Sequence, residues 1–359
     1  MRPRHGGNLW ALPGRAADAH VEVLDFSADL NPLGPPPGIE PVLREAFGEI
    51  GVYPEPTYRA LREVLARTEG VHPDQILPGN GTAELIHLVT RGRRAARAAV
   101  VVPTFTEYER AILADGGEVV PVHLREEEDF DPRALVDRQP FPTAPLVFLC
   151  NPNNPTGRLW PEGRLREQLE RLHRVGADVV VDEAYMDFVR DGERYSAVGW
   201  IREFPRLMVL RSLTKSFTVP GLRIGYLVAA AQRVEALAQL QPPWPVNGPA
   251  ALVGRWLAAQ RGFVDQCRRE LAALRERMGS QLQGLPGVRL FPTDCNFFLC
   301  RLSGNGRMAA DLAAALAEGG IGIRVCDDFT GLEGGCFFRV AVRTQGQNDR
   351  LLVALQEAL

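Results

Sequence analysis

Lys215, in the stretch RSLTKSF (211–217), is the only lysine among 359 residues; of the 41 Lys and Arg side chains all the others are arginine. An arginine-rich composition thins lysine everywhere, but an amine can be desolvated, deprotonated and made nucleophilic, whereas a guanidinium stays charged. Schiff-base formation with a carbonyl is the main chemistry that needs this difference. Three polar clusters stand where apolar runs end: CNPNNPTG (150–157), DEAY (182–185) and SLTK (212–215). Each alone reads as a turn or a strand-end cap. In this order they match a cofactor's needs. Pyridoxal phosphate requires a lysine for its aldehyde, an acid for its pyridine nitrogen and an anion site for its phosphate. Asp182 is the candidate acid, because a carboxylate favours the protonated ring. Tyr185 and Asn154 are candidates to hydrogen-bond the phenolate oxygen. Gly81 and Thr82, in GNGTAELIHL (79–88), open a helix whose free N–H groups favour phosphate, and Ser212 and Arg223 would complete that anion site.

The elements that must position these residues are legible as a pattern. The runs 98–103, 118–124, 145–150, 178–183, 207–212 and 223–229 are short, apolar and β-branched, and amphipathic stretches such as 161–176 lie between several of them. Continuous apolar strands separated by helices predict an α/β fold with a mostly parallel sheet covered on both faces. Ligands then bind beyond the carboxyl ends of the strands, where the three clusters fall. The expected division is an N-terminal arm at 1–40 packing with a small domain, a large cofactor-binding domain at 41–247, and an interdomain helix (about 247–285) leading into a small C-terminal α+β domain at 248–359.

Composition narrows the function further. A net charge of −3 and 24% charged residues give no basic face, so no nucleic-acid partner is expected. No apolar run reaches the roughly 18 residues a membrane span needs, and MRPRHGGNLWALPG has no signal-peptide core. A cytoplasmic protein is the expectation. The six cysteines are scattered without a C-x-x-C pair and the six histidines show no helical metal spacing, so neither a disulfide framework nor a metal site is expected.

CNPNNPTG, DEAY, SLTKSF and PGLRIGY together resemble the fold-type I pyridoxal-phosphate-dependent transferases of the aspartate aminotransferase superfamily, nearly end to end. The resemblance implies that Lys215 carries the cofactor, Asp182 faces its ring nitrogen, and Asn154 and Tyr185 bind its phenolate oxygen. Ser212, Arg223, Gly81 and Thr82 hold its phosphate. It implies that Phe105 stacks on the ring, that Tyr53 reaches a neighbouring subunit's phosphate in a homodimer, and that Arg339 grips a substrate carboxylate. HGGN (5–8), LDFSADLNPLG (24–34), PWPVN (243–247) and FFRVAVR (337–343) are similar to the threonine-phosphate decarboxylases of the cobalamin pathway. That similarity implies a phosphorylated amino acid held by Arg324, Arg339 and Arg343, with His5, Gly6, Asn8, Asn31 and Asn154 contributing contacts. Asp29 departs from it, since asparagine is common there. Histidinol-phosphate aminotransferases share the cofactor motifs and remain an alternative. A pyridoxal-phosphate-sensing regulator is a further one, although the chain leaves no room for a DNA-binding module before residue 25.

Overall fold

The computed structural model describes residues 5–8, 10, 23–94, 96–138, 141–304 and 306–359. In chain order its strands are β1 (Leu24–Asp25), β2 (Ile76–Gly79), β3 (Arg97–Val102), β4 (Glu118–His123), β5 (Leu146–Cys150), β6 (Asp178–Asp182) and β7 (Leu207–Ser212). There follow β8 (Gly225–Ala229), β9 (Val288–Leu290), β10 (Phe297–Leu302), β11 (Ile321–Gly322), β12 (Arg324–Val325) and β13 (Phe337–Ala341). Seven of them form one sheet in the order β2-β8-β7-β6-β5-β3-β4. All pairings from β7 across to β4 are parallel, and β8 alone runs against its neighbours β7 and β2. The chain is therefore α/β with a mostly parallel sheet, as the sequence predicts.

The central strands β5, β6 and β7 are mainly apolar because both faces of the sheet are buried there, whereas the edge strand β4 is partly exposed. Along β5, Val147 and Leu149 join the apolar cluster on one face, while Leu146, Phe148 and Cys150 join the cluster on the other. β6 and β7 alternate the same way, with Val179, Val181, Leu207 and Val209 opposed to Val180, Met208 and Leu210. A two-residue period with no polar member is what a doubly covered sheet requires.

A second, antiparallel sheet in the order β12-β13-β10-β9 has its own core, built on Phe297, Phe338, Val340, Leu351 and Leu355. Leu24 and Phe26 from the N-terminal segment belong to that core, and β1 pairs in parallel with β11 through Leu24↔Ile321 and Asp25↔Gly322. This pairing carries residues 25–31 from the second sheet toward the carboxyl ends of the large one.

The long helix expected at about 247–285 is two helices, Gly248–Ala258 and Arg261–Gln283, broken at Gln260, whose ψ of 45° leaves the helical region. The first packs on the large domain's core through Val253 and Leu257; the second reaches the other core through Leu271, Met278 and Leu282. Among the described residues no helix is long and apolar enough to cross a membrane.

Candidate functional site

A cavity of about 590 Å³ opens at the carboxyl ends of β5, β6 and β7 and is closed on the far side by β12, β13 and residues 5–7 and 25–30. Lys215 sits on its wall, one turn past β7. Ser212 caps that turn, taking the Thr214 N–H at 3.3 Å and facing the Thr214 hydroxyl at 2.8 Å. On either side of the lysine the chain is pinned. Arg211 is buried against Glu69, Glu183 and Asp187 at 3.2–3.3 Å, and the Ser216 hydroxyl donates to Asp187 at 2.6 Å. Burial pushes the Lys215 amine below its ordinary pKa; Asp29 opposes this, while Arg339 and Arg223 add to it.

Asp182 ends β6 with its carboxylate buried. One oxygen accepts the Tyr108 hydroxyl at 2.7 Å and the other the Ala184 N–H at 2.9 Å. Burial raises its pKa, and those two donors and Lys215 hold it back. A cation beside this carboxylate would relieve that penalty. Tyr108 stacks on Phe148, ring centroids 5.0 Å apart, and meets Phe105 edge-on at 5.7 Å.

The anion cradle stands opposite. The helix Gly81–Arg93 begins directly after β2, with Gly81 at φ +74°. A Cβ on Gly81 would come within 2.6 Å of an Arg223 guanidinium nitrogen, so glycine lets that cation close on the helix terminus. Gly81, Thr82, Ser212, Thr214 and Arg223 all line the cavity.

The third group surrounds Arg339 on β13. It is buried, donates to the Asn154 side-chain oxygen and to the Ser27 carbonyl at 2.9 Å, and lies 2.7 Å from an Asp29 oxygen. The same Asp29 oxygen accepts the Tyr185 hydroxyl at 2.9 Å. Arg324, paired across the strands with Arg339, is buried and chelated by both oxygens of Asp328 at 2.7 and 2.8 Å. At the rim, His5 Nε2 lies 2.9 Å from Glu107, whose carboxylate also takes Arg110 at 3.0 Å. Gly6 packs so close to the Ser27 carbonyl that a Cβ would sit 1.9 Å from it, and the Gly7 N–H donates to the Ser27 hydroxyl.

The structure thus gathers Lys215, Asp182, Tyr185, Asn154, Ser212, Gly81, Thr82, Arg223, Phe105, Arg324, Arg339, His5 and Gly6 around one cavity. Four expected site residues lie outside the lining of this cavity. Asn31 spends its amide on the Ser216 carbonyl at 2.8 Å and on Cys267, and its N–H on the Lys215 carbonyl at 3.1 Å. It braces the lysine turn from behind. Asn8 is exposed, and Arg343 is half-buried beyond the end of β13; neither lines the cavity. Tyr53 is exposed and stacks on Trp244 at 4.3 Å, outside its own chain's cavity. Sequence reasoning missed Tyr108, Glu107, Arg110 and the contact of Asp29. Tyr108, one helical turn after Phe105 in PTFTEY, carried a usable spacing signal; the others are ordinary polar residues until folded.

The donor set suits a group with an aldehyde, a cationic ring nitrogen and a phosphate: a depressed amine, a buried carboxylate awaiting a cation, and a glycine-opened helix terminus. The family model for aminotransferase class I and II matches residues 21–355. A threonine-phosphate decarboxylase of Salmonella typhimurium is 34% identical, over 99% of this chain and 96% of its own. Among solved structures, the histidinol-phosphate aminotransferase of Clostridium acetobutylicum superposes with a TM-score of 0.85 at 28% identity, covering 93% of this chain and 98% of that one. The L-threonine-O-3-phosphate decarboxylase of Porphyromonas gingivalis gives 0.84 at 27% identity, covering 93% and 99%.

Proposed function

This chain belongs to the aminotransferase class I and II family, and from that membership we propose that it is a pyridoxal-phosphate-dependent carboxy-lyase of cobalamin biosynthesis. It converts L-threonine O-3-phosphate to (R)-1-aminopropan-2-yl phosphate and CO2. The observation that carries this choice over transamination is the placement of His5, Gly6 and Gly7 of HGGN in the cavity wall beside Arg339 and Ser27.

Pyridoxal phosphate, when bound, supplies an aldehyde and a cationic ring that draws electrons from the substrate's α-carbon. The chain's residues do the rest. The Lys215 amine would hold the cofactor's aldehyde, Asp182 would keep the proton on its ring nitrogen, and Phe105 would pack on the ring. Asn154 and Tyr185 would bind its phenolate oxygen, and Gly81, Thr82, Ser212 and Arg223 its phosphate; all six line the cavity. Which bond at the α-carbon breaks would be set by where the chain clamps the substrate's anionic ends. Arg339 is the candidate for the carboxylate. Arg324, with His5 at the rim, is the candidate for the substrate phosphate. Lys215 Nζ is the candidate to return a proton to the α-carbon.

The test supplies purified, cofactor-loaded protein with threonine phosphate and no keto acid. CO2 and aminopropyl phosphate are expected. Turnover only of histidinol phosphate, and only with 2-oxoglutarate, would make it a histidinol-phosphate aminotransferase instead. The apolar surface around Tyr53 supports a homodimer with Tyr53 directed at the partner's site, and a cytoplasmic location accords with this small-molecule chemistry.

A further inference from the structure

The guanidinium assigned above to the substrate carboxylate already has a carboxylate of its own. One Asp29 oxygen lies 2.7 Å from Arg339 Nη2 and accepts the Tyr185 hydroxyl at 2.9 Å. Its other oxygen is buried with no hydrogen-bond partner, and so is Arg339 Nε. Asp29 and Arg339 are both almost fully buried and both line the cavity. A substrate carboxylate on Arg339 would therefore put two carboxylates on one cation in a poorly solvated place. Like charges in such a site are relieved when one of them binds a proton, and the pair then titrates as a unit.

We propose that Asp29 takes up a proton from solvent when a substrate carboxylate settles on Arg339, so that its carboxyl donates to that carboxylate instead of competing with it. Only the Asp29 O–H bond is made; nothing is oxidised or reduced. The oxygen without a partner is the natural place for the proton, because it needs no existing bond to break. Every charged or titratable neighbour bears on this. Arg339 on β13 and Lys215 after β7 favour the carboxylate, whereas Asp25 on β1 opposes it, and Tyr185 after β6 donates its hydroxyl. Burial outweighs them and pushes the Asp29 carboxyl above its ordinary range, which eases the uptake. Asp29 thereby sets specificity. It makes carboxylate binding weaken with rising pH, while a ligand bearing only a phosphate escapes the effect. The inference rests on Arg339 being the carboxylate site.

The experiment uses the cofactor-loaded enzyme and two unreactive probes without an amine: 3-phosphonopropionate, which has a carboxylate, and propylphosphonate, which does not. Titration calorimetry at about pH 8 in two buffers of different ionisation heat counts protons. The carboxylate probe should take up about one proton more than propylphosphonate, and its Kd should rise about tenfold per pH unit above the Asp29 pKa. In Asp29→Asn the extra proton and the extra pH dependence should vanish, and binding at high pH should tighten. Equal proton counts for the two probes on the wild type overturn the proposal without any variant, as does an extra proton that survives in Asp29→Asn. Equal counts with intact CO2 release from threonine phosphate sink this inference alone. Proton-linked carboxylate binding without CO2 release sinks only the decarboxylase reading.

Discussion

An arginine at position 215 would keep the charge and lose the chemistry. Wild-type protein mixed with pyridoxal phosphate should show a visible absorption band, and Lys215→Arg should show none while its circular dichroism stays unchanged. A persisting band in the variant would remove the central role given to this amine. At the rim, Glu107 makes a different kind of claim. The His5 hydrogen bond, and then Arg110, hold its carboxyl down at about 2, below its ordinary 4.5, with burial opposing. A folded pKa below the unfolded one gives stability that is full above 4.5 and is lost as pH falls toward 2. His5 and Arg110 have half-exposed side chains, so solvent screening reduces the effect to about 1–2 kcal/mol. Urea unfolding across that acid range should show Glu107→Gln losing less stability than wild type by this amount. Parallel curves would mean that the contact holds the arm too weakly to matter.

The start of the Gly81–Arg93 helix concentrates the element-scale argument. Gly81→Ala must place a side chain at φ +74°, at roughly 1–2 kcal/mol, and must push Arg223 aside, since the new Cβ would lie 2.6 Å from its guanidinium. The expected result is a folded protein whose affinity for pyridoxal phosphate falls at least about tenfold by fluorescence titration; unchanged affinity would show that the cradle lies elsewhere. Elements like this one were unequally visible in the sequence. β3 and β5 to β8 were readable because strands buried on both faces are mainly apolar, and the partly exposed edge strand β4 because of its valines. β2, the run ILPG, was missed because Pro78 and Gly79 read as a turn. The break at Gln260 lacked a proline or glycine, and only the need to serve two cores explains it. In the site, Lys215, Asp182 and Asn154 were legible because chemistry demands those side chains at strand ends. Asn31 and Arg343 lie outside the cavity lining, and the sequence did not show it because a residue's type does not reveal its direction. Tyr108 and Asp29 acquire their meaning from partners 74 and more than 150 residues away, a distance no local pattern spans.

At the scale of the molecule, the clusters on the two faces of the large sheet and the core of the second sheet take in most large apolar side chains of the described residues, which makes the exceptions informative. Phe47, Ile50, Val52 and Tyr53 are all more than 60% exposed on one short stretch, and Trp244 stacks on Tyr53. Covering such a cluster with a second copy would remove apolar surface worth about 25 cal/mol per Å². In the homodimer proposed above, Tyr53, which does not line its own cavity, is the residue directed at the partner's phosphate cradle. Assembly and cofactor binding should then be linked, because a ligand held by residues of both copies stabilises the dimer by mass action. Sedimentation equilibrium should find a dimer at micromolar concentration. Ile50→Glu should break it and weaken pyridoxal phosphate binding in step, since a charge at the centre of an apolar contact must be desolvated. Tyr53→Phe keeps the ring and removes one hydroxyl. It should leave the dimer intact and weaken the cofactor several-fold, as the loss of one hydrogen bond to a charged group would. A wild-type monomer that binds the cofactor as tightly when dilute as when concentrated would show that each chain completes its own site, and Tyr53 would then be left with only its contact to Trp244.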